Sequence, residues 1–124
     1  MKSTFSKKEK LKGQILIDRL FKDGHSVSVY PLRAIFMPAD FNDGVILKTG
    51  VSVSKRNFKK AFKRNQIKRL MRESYRLNKK RYFNNITTQC ALMILYIGKE
   101  EPSFNTLDGA MKQLLGKLAA LISK

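Results

Sequence analysis

The sequence predicts an α/β sandwich, a four-stranded sheet flanked by helices in the order αβββαβα. Three observations predict it. Two stretches, Gln14–Lys22 and 107–122, place apolar residues at i, i+3 and i+4, the spacing of an amphipathic helix. Four short alternating or apolar runs are bounded by Gly, Pro and Asx turn signals, as strands are. A long basic segment of helical periodicity separates the third of these runs from the fourth. A sheet with helices packed on it is the economical way to bury so many one-sided elements.

Taken in order, Ile17, Leu20 and Phe21 form the apolar stripe of the first helix, and Gly24 stands where a helix end favours a left-handed residue. Ser26–Val29 alternates polar and apolar, like a strand. Pro31 interrupts it, so Leu32–Met37 is a second strand or a bent continuation. Asp40-Phe41-Asn42-Asp43-Gly44 is a strong turn signal, and Val45–Ser54 follows as a strand. In the basic segment, Ile67, Leu70, Met71, Tyr75 and Tyr82 share one helical face with Ser74 and Asn78. Phe58, Ala61 and Phe62 are out of phase with that face, which puts the helix start in their neighbourhood. Gln89–Ile97 is apolar enough for a strand buried on both faces. Thr106 is the expected N-cap of the final helix, with Asp108 in its first turn favourable to the helix dipole. Residues 1–10 read as a flexible basic terminus on a single domain spanning 1–124.

The chain has 124 residues and carries 26 Lys and Arg against nine Asp and Glu, a formal charge of +17. An apolar content of 43% is that of a folded domain, not of a disordered basic tail. A folded domain this basic repels itself, and a polyanionic partner is the physical reason to keep such a charge. The excess is concentrated: residues 55–81 hold thirteen basic side chains and a single acid, Glu73. Lys68, Arg69, Arg72, Arg76, Lys79 and Lys80 cluster away from the apolar face of that helix, and Asn65 projects to the same side. Glu73 is spaced to pair with Arg69 or Arg76.

Other classes are excluded or disfavoured. No run is long enough to span a membrane, and Met1–Lys8 has no apolar stretch behind its charges, unlike a secretory signal. One cysteine forms no internal disulfide, which suits the cytoplasm. One His and one Cys are too few for the usual zinc site. Asp18, Asp23, Asp40, Asp43 and Asp108 are scattered, where a metal-dependent nuclease would need grouped carboxylates. Cys90 reads as a small buried hydrophobe and His25 as a surface or capping residue. No catalytic or metal-ligating residue is expected. The basic face fits nucleic acid: Arg grips phosphate with paired hydrogen bonds, Lys supplies point charge, and Asn65 can read a base or sugar hydroxyl.

Val51-Ser52-Val53-Ser54-Lys55-Arg56 leads into Ala61-Phe62-Lys63-Arg64-Asn65-Gln66-Ile67-Lys68-Arg69-Leu70-Met71-Arg72-Glu73. This resembles the protein subunit of bacterial ribonuclease P, whose pattern is a Ser-Val-Ser-Lys-Lys-like strand end, then Ala, Arg-Asn-Arg and an Ile/Val-Lys-Arg-x-x-Arg helix. Leu11–Gly24 resembles the family's first helix, and the final strand and helix follow in order. The resemblance implies a left-handed βαβ crossover, like that in a domain of some ribosomal proteins, against the general right-handed rule. It also implies that the chain assists removal of the 5′ leader from precursor tRNA, with catalysis and the Mg²⁺ ions carried mainly by the RNA subunit. The implied partners are that RNA and precursor tRNA, with no membrane and no obligate protein partner. Lys55, Arg56, Lys60, Arg64, Asn65, Lys68, Arg69, Arg72 and Arg76 would lie against the catalytic RNA. Ile17, Phe21, Ile35, Phe36 and Ser52 would line a leader cleft between the first helix and the sheet. Gln66 replaces the second Arg of Arg-Asn-Arg, and Ile17 and Ile35 stand where aromatics are common.

Two alternatives differ in kind. A ribosomal-type structural RNA-binding protein would co-sediment with ribosomes and leave tRNA processing unaffected. A DNA-binding regulator would need a partner helix and short turn just before the basic helix, where Val45–Ser54 reads as a strand.

Overall fold

The computed structural model describes residues 5–41, 43–84 and 86–122. A 3-10 turn, Lys7–Glu9, precedes α1 (Gln14–Asp23), β1 (His25–Val29), β2 (Leu32–Pro38) and β3 (Leu47–Val53). Then come α2 (Ala61–Phe83), β4 (Cys90–Tyr96) and α3 (Phe104–Ile122). The four strands form one mixed sheet in the order β1-β2-β4-β3. β1 and β2 form an antiparallel hairpin, so Pro31 separates two strands rather than bending one. β2 and β4 are also antiparallel, whereas β3 and β4 are parallel with α2 as their connection.

Alternation along the strands builds a core on each face of the sheet. Leu32, Ala34, Phe36, Val53, Leu92, Ile94 and Tyr96 point toward α2 and α3, where they meet Ile67, Met71 and Tyr75 and the Leu107–Ile122 stripe. Ile35, Met37, Ala91 and Met93 point to the opposite face, where Leu11, Leu20 and the half-buried Ile17 cover them. β4 is therefore lined on both sides, as its apolar run predicted, and Cys90 is 2% exposed within it. Burial pushes the Cys90 thiol up, away from the reactive thiolate.

Polar contacts set how α2 is rolled. The Tyr75 hydroxyl is buried against Thr49 Oγ1 on β3 at 2.8 Å. On the other flank, Ser74 Oγ and Asn78 Nδ2 donate to Asp108 Oδ1 of α3 at 2.7 and 2.8 Å. Burial alone would raise the Asp108 pKa. The hydrogen bonds from Ser74, Asn78 and Lys112 outweigh it and hold the carboxyl below the usual aspartate range. Asp108 is thus an interhelical acceptor, where the sequence suggested a dipole partner.

Several expectations are corrected. The α3 N-cap is Ser103, whose Oγ accepts from the Thr106 N–H, so Thr106 already lies inside the helix. Gly24 is extended (φ −72°), not left-handed. It is needed for close approach, since a Cβ there would lie 2.4 Å from Leu20 O and 2.6 Å from Ile35 Cγ2. The positive-φ glycine flanking α1 is Gly13 (φ +97°), at the helix's other end. Of the 1–10 terminus, residues 1–4 lie outside the described residues, and residues 5–10 make specific contacts. Phe5 meets the Tyr75 ring edge-on at 5.3 Å, Glu9 pairs with Lys79, and Lys10 bridges to Thr49 beside β3.

Truncating the interhelical acceptor tests this arrangement. Asp108→Ala leaves the Ser74 and Asn78 donors unpaired and costs about 1–3 kcal/mol in urea unfolding at neutral pH. Because the native pKa is depressed, the parent's advantage is full above the ordinary aspartate range. It is lost as pH falls through the lowered native value. Unfolding midpoints measured from pH 7 to 2 therefore converge at the acid end.

Candidate nucleic-acid interface

The turn after β3 and the first half of α2 carry the site. Ser54 Oγ accepts from the Arg56 N–H at 3.1 Å, and the Phe58 N–H donates to Ser54 O at 3.1 Å. Phe58 is buried, its ring 5.9 Å from that of Tyr96. It anchors the turn rather than joining α2, which explains its being out of phase with Ile67. Arg64 closes the turn from the helix side. Its Nη1 donates to the carbonyls of Phe58 and Lys59, both at 2.8 Å. Lys55, Arg56 and Lys60 are all exposed along this turn, next to the helix start.

With about 100° between successive helical residues, Asn65, Lys68, Arg69, Arg72 and Arg76 fall on one contiguous arc beside the buried Ile67–Met71–Tyr75 face. Asn65, Arg69 and Arg72 are exposed, and Lys68 is half-buried. Glu73 chooses Arg76, with Oε1 2.6 Å from Nη2. That contact holds the Glu73 carboxyl below its ordinary range. Lys63 pairs with Glu101 at 3.2 Å. Among the described residues Lys55, Arg56, Lys68, Arg69 and Arg72 enter no ion pair. Gln66 is exposed but falls off the arc.

The helix start is electrostatically unfavourable as it stands. Its N-cap is Lys60, which makes no side-chain cap, and its first turn holds no acid. Lys59, Lys60, Lys63 and Arg64 crowd the positive end of the dipole, where anions are preferred. Violations of a local rule concentrate where an absent partner supplies the compensation. A row of phosphates would do so here.

The second predicted group is only partly brought together. Ile17 and Ile35 meet in the apolar layer between α1 and the sheet. Phe21, one turn beyond Ile17, is 48% exposed. Ser52 lies on the same sheet face as Ile35, because Val51 and Val53 point the other way. Phe36 does not belong with them. It is next to Ile35 in a strand, so it faces the opposite side, buried under α3 and 5.8 Å from the His25 ring. Strand register reveals a member that the sequence reading missed. Ser28, Arg33, Leu95 and Ser52 stand side by side across all four strands, one row beyond the layer that α1 covers. Arg33 is exposed there, its Nη2 3.4 Å from Ser26 Oγ. The available signal was a lone charge opening the apolar run of β2.

Among the described residues no three His, Cys, Asp or Glu side chains gather as metal ligands, and no helix is long and apolar enough to cross a membrane. α2 is preceded by a strand and a turn, without the partner helix of a helix-turn-helix reader.

Comparison with known proteins agrees with this architecture. A family model described as Ribonuclease P matches residues 5–119. A ribonuclease P protein component of Porphyromonas gingivalis is 34% identical over 118 residues, 92% of this chain and 85% of that one. The Staphylococcus aureus RNase P protein superposes with a TM-score of 0.69 at 21% identity, covering 94% of this chain and 98% of that one. For the Thermotoga maritima RNase P protein the TM-score is 0.66 at 25% identity, with 88% and 96% covered.

Arg64 and Arg72 separate structure from recognition. Arg64→Ala removes donors from two carbonyls, one of them on buried Phe58, and lowers unfolding stability by about 1–3 kcal/mol. Arg72→Ala stays within about 0.5 kcal/mol of the parent. Urea denaturation of the two variants side by side measures both.

Proposed function

The chain belongs to the ribonuclease P protein family, and we propose that it binds the catalytic RNA subunit through the α2 arc and the Lys55–Lys60 turn. In this reading it serves an endoribonuclease that trims the 5′ leader from precursor tRNA. The observation that carries the proposal is the helix start: cations at the positive end of α2, with no acid in the first turn and no side-chain cap, and only Lys63 paired, to Glu101. Arg69 and Arg72 would grip phosphate oxygens in pairs, Lys55 and Lys68 would contribute point charge, and Asn65 would take a base edge or a 2′-hydroxyl.

Catalysis would rest with the RNA and its Mg²⁺ ions. The RNA's metal ions would activate water for the hydrolysis. This chain's part would be to neutralise phosphate repulsion, which otherwise demands more Mg²⁺, and to hold the leader. For the leader we propose the open row Ser28–Arg33–Leu95–Ser52 with Phe21, in place of a cleft containing Phe36. Arg33 would meet a leader phosphate, and the Phe21 ring an unstacked base.

Two measurements test the proposal. The protein alone leaves precursor tRNA intact, and added to its cognate RNA it raises leader cleavage at low Mg²⁺. Cleavage indifferent to the protein at every Mg²⁺ concentration refutes it. Arg69→Ala weakens binding to the RNA subunit and reduces the slope of log K against log salt by about one unit, as loss of one phosphate contact requires. An unchanged slope removes Arg69 from the interface.

A further inference from the structure

Phe62 is an exposed aromatic in the midst of the cationic surface. It lies in the first turn of α2 with 56% of its surface open, and it belongs to neither core. Single exposed apolar residues are common and need no explanation by themselves. Its neighbours are what distinguish this one. Helical geometry puts Phe62 on nearly the same meridian as Arg69 and Lys80, at i+7 and i+18, with Asn65 one turn on. A helical side chain leans toward the N-terminus, which carries the ring back over the Lys59–Lys60 turn. The Lys60 ammonium sits 5.9 Å from the ring centroid. Leu77, the other exposed large apolar side chain of α2, lies fifteen residues further on, about 22 Å along the helix axis from Phe62 and off the arc.

We propose that Phe62 is a stacking platform for one unstacked nucleobase of the bound RNA, with Lys60, Asn65 and Arg69 holding the flanking backbone. The inference deepens the function proposed above and rests on it. A planar base is the occupant that fits both halves of the surroundings. It covers the ring's apolar area, and it arrives on a phosphodiester that the surrounding cations attract. A protein partner would need an acidic surface bearing an apolar knob, and a free mononucleotide would bring too little charge to engage the arc. Base–aromatic stacking tolerates any base because each has a π face. It therefore adds affinity without adding to the salt dependence, which distinguishes Phe62 from its cationic neighbours.

The chain contains no tryptophan, so Phe62→Trp places a single indole reporter at the site, and Leu77→Trp places one off the arc. Titrated with the ribonuclease P RNA, the Phe62→Trp protein loses fluorescence through base stacking, and the Leu77→Trp protein does not. Phe62→Leu keeps the fold by circular dichroism, binds the RNA about tenfold more weakly, and retains the parent's salt slope. Phe62→Tyr binds like the parent. If the parent binds the RNA but Phe62→Leu binds equally well, or the Phe62→Trp indole is unquenched, the stacking site is wrong and the RNA-binding proposal stands. If the parent does not bind the RNA, the functional proposal has failed and this inference with it. Quenching of the Phe62→Trp protein by an acidic protein, and not by RNA, overturns the choice of occupant.

Discussion

The Tyr75 hydroxyl meets Thr49 inside the core at 2.8 Å, and through that contact the roll of α2 against the sheet is fixed. Apolar packing alone constrains a helix loosely about its own axis, because Ile, Met and Leu side chains can re-interdigitate at small cost. Buried polar pairs cannot, since each misalignment leaves an unsatisfied group. α2 has such pairs on both flanks, Tyr75–Thr49 toward β3 and Ser74/Asn78–Asp108 toward α3. The cationic arc inherits its direction from them. Residues that never touch a ligand thus decide where Arg69 and Arg72 point.

Much of this was legible in the residues, and the exceptions have definite causes. Periodicity found α1, α3 and the buried face of α2, because a helix that packs on one side must repeat with its turn. It found β4 because only a strand covered on both faces is apolar throughout. Periodicity does not register how a chain enters a helix. Phe58 looked like an ill-fitting helical residue because its burial serves the preceding turn, which Arg64 holds from four carbons away. Ser103 displaced Thr106 as the cap of α3, since both residue types can cap and only geometry chooses. Phe36 was grouped with Ile35 by adjacency, although adjacent strand residues face opposite ways. Arg33 went unnoticed for the complementary reason: its row is assembled from four strands far apart in sequence.

The charge is likewise organised by the fold. Three acids are held by particular cations of α2: Glu73 by Arg76, Glu101 by Lys63, Glu9 by Lys79. Lys55, Arg56, Lys68, Arg69 and Arg72, which enter no ion pair among the described residues, lie along the turn and the adjoining arc of α2, and the helix dipole adds to the potential at the helix start. Each unpaired cation there lowers the stability of the isolated protein slightly and raises its attraction for a polyanion.

The segment before α1 has a role that its composition conceals. β3 is an outer strand of the sheet, and an outer strand with free N–H and C=O groups invites pairing with another molecule. The Leu11 N–H donates to Thr49 O at 3.0 Å, and the Lys10–Thr49 bridge sits beside it. Phe5 and Glu9 fasten the same stretch to α2. The basic terminus is a hem stitched to the raw edge of the sheet at Thr49. Trimming the chain back to the first helix, a natural step when shortening a protein for study, would unpick that hem and favour sheet-to-sheet association between molecules.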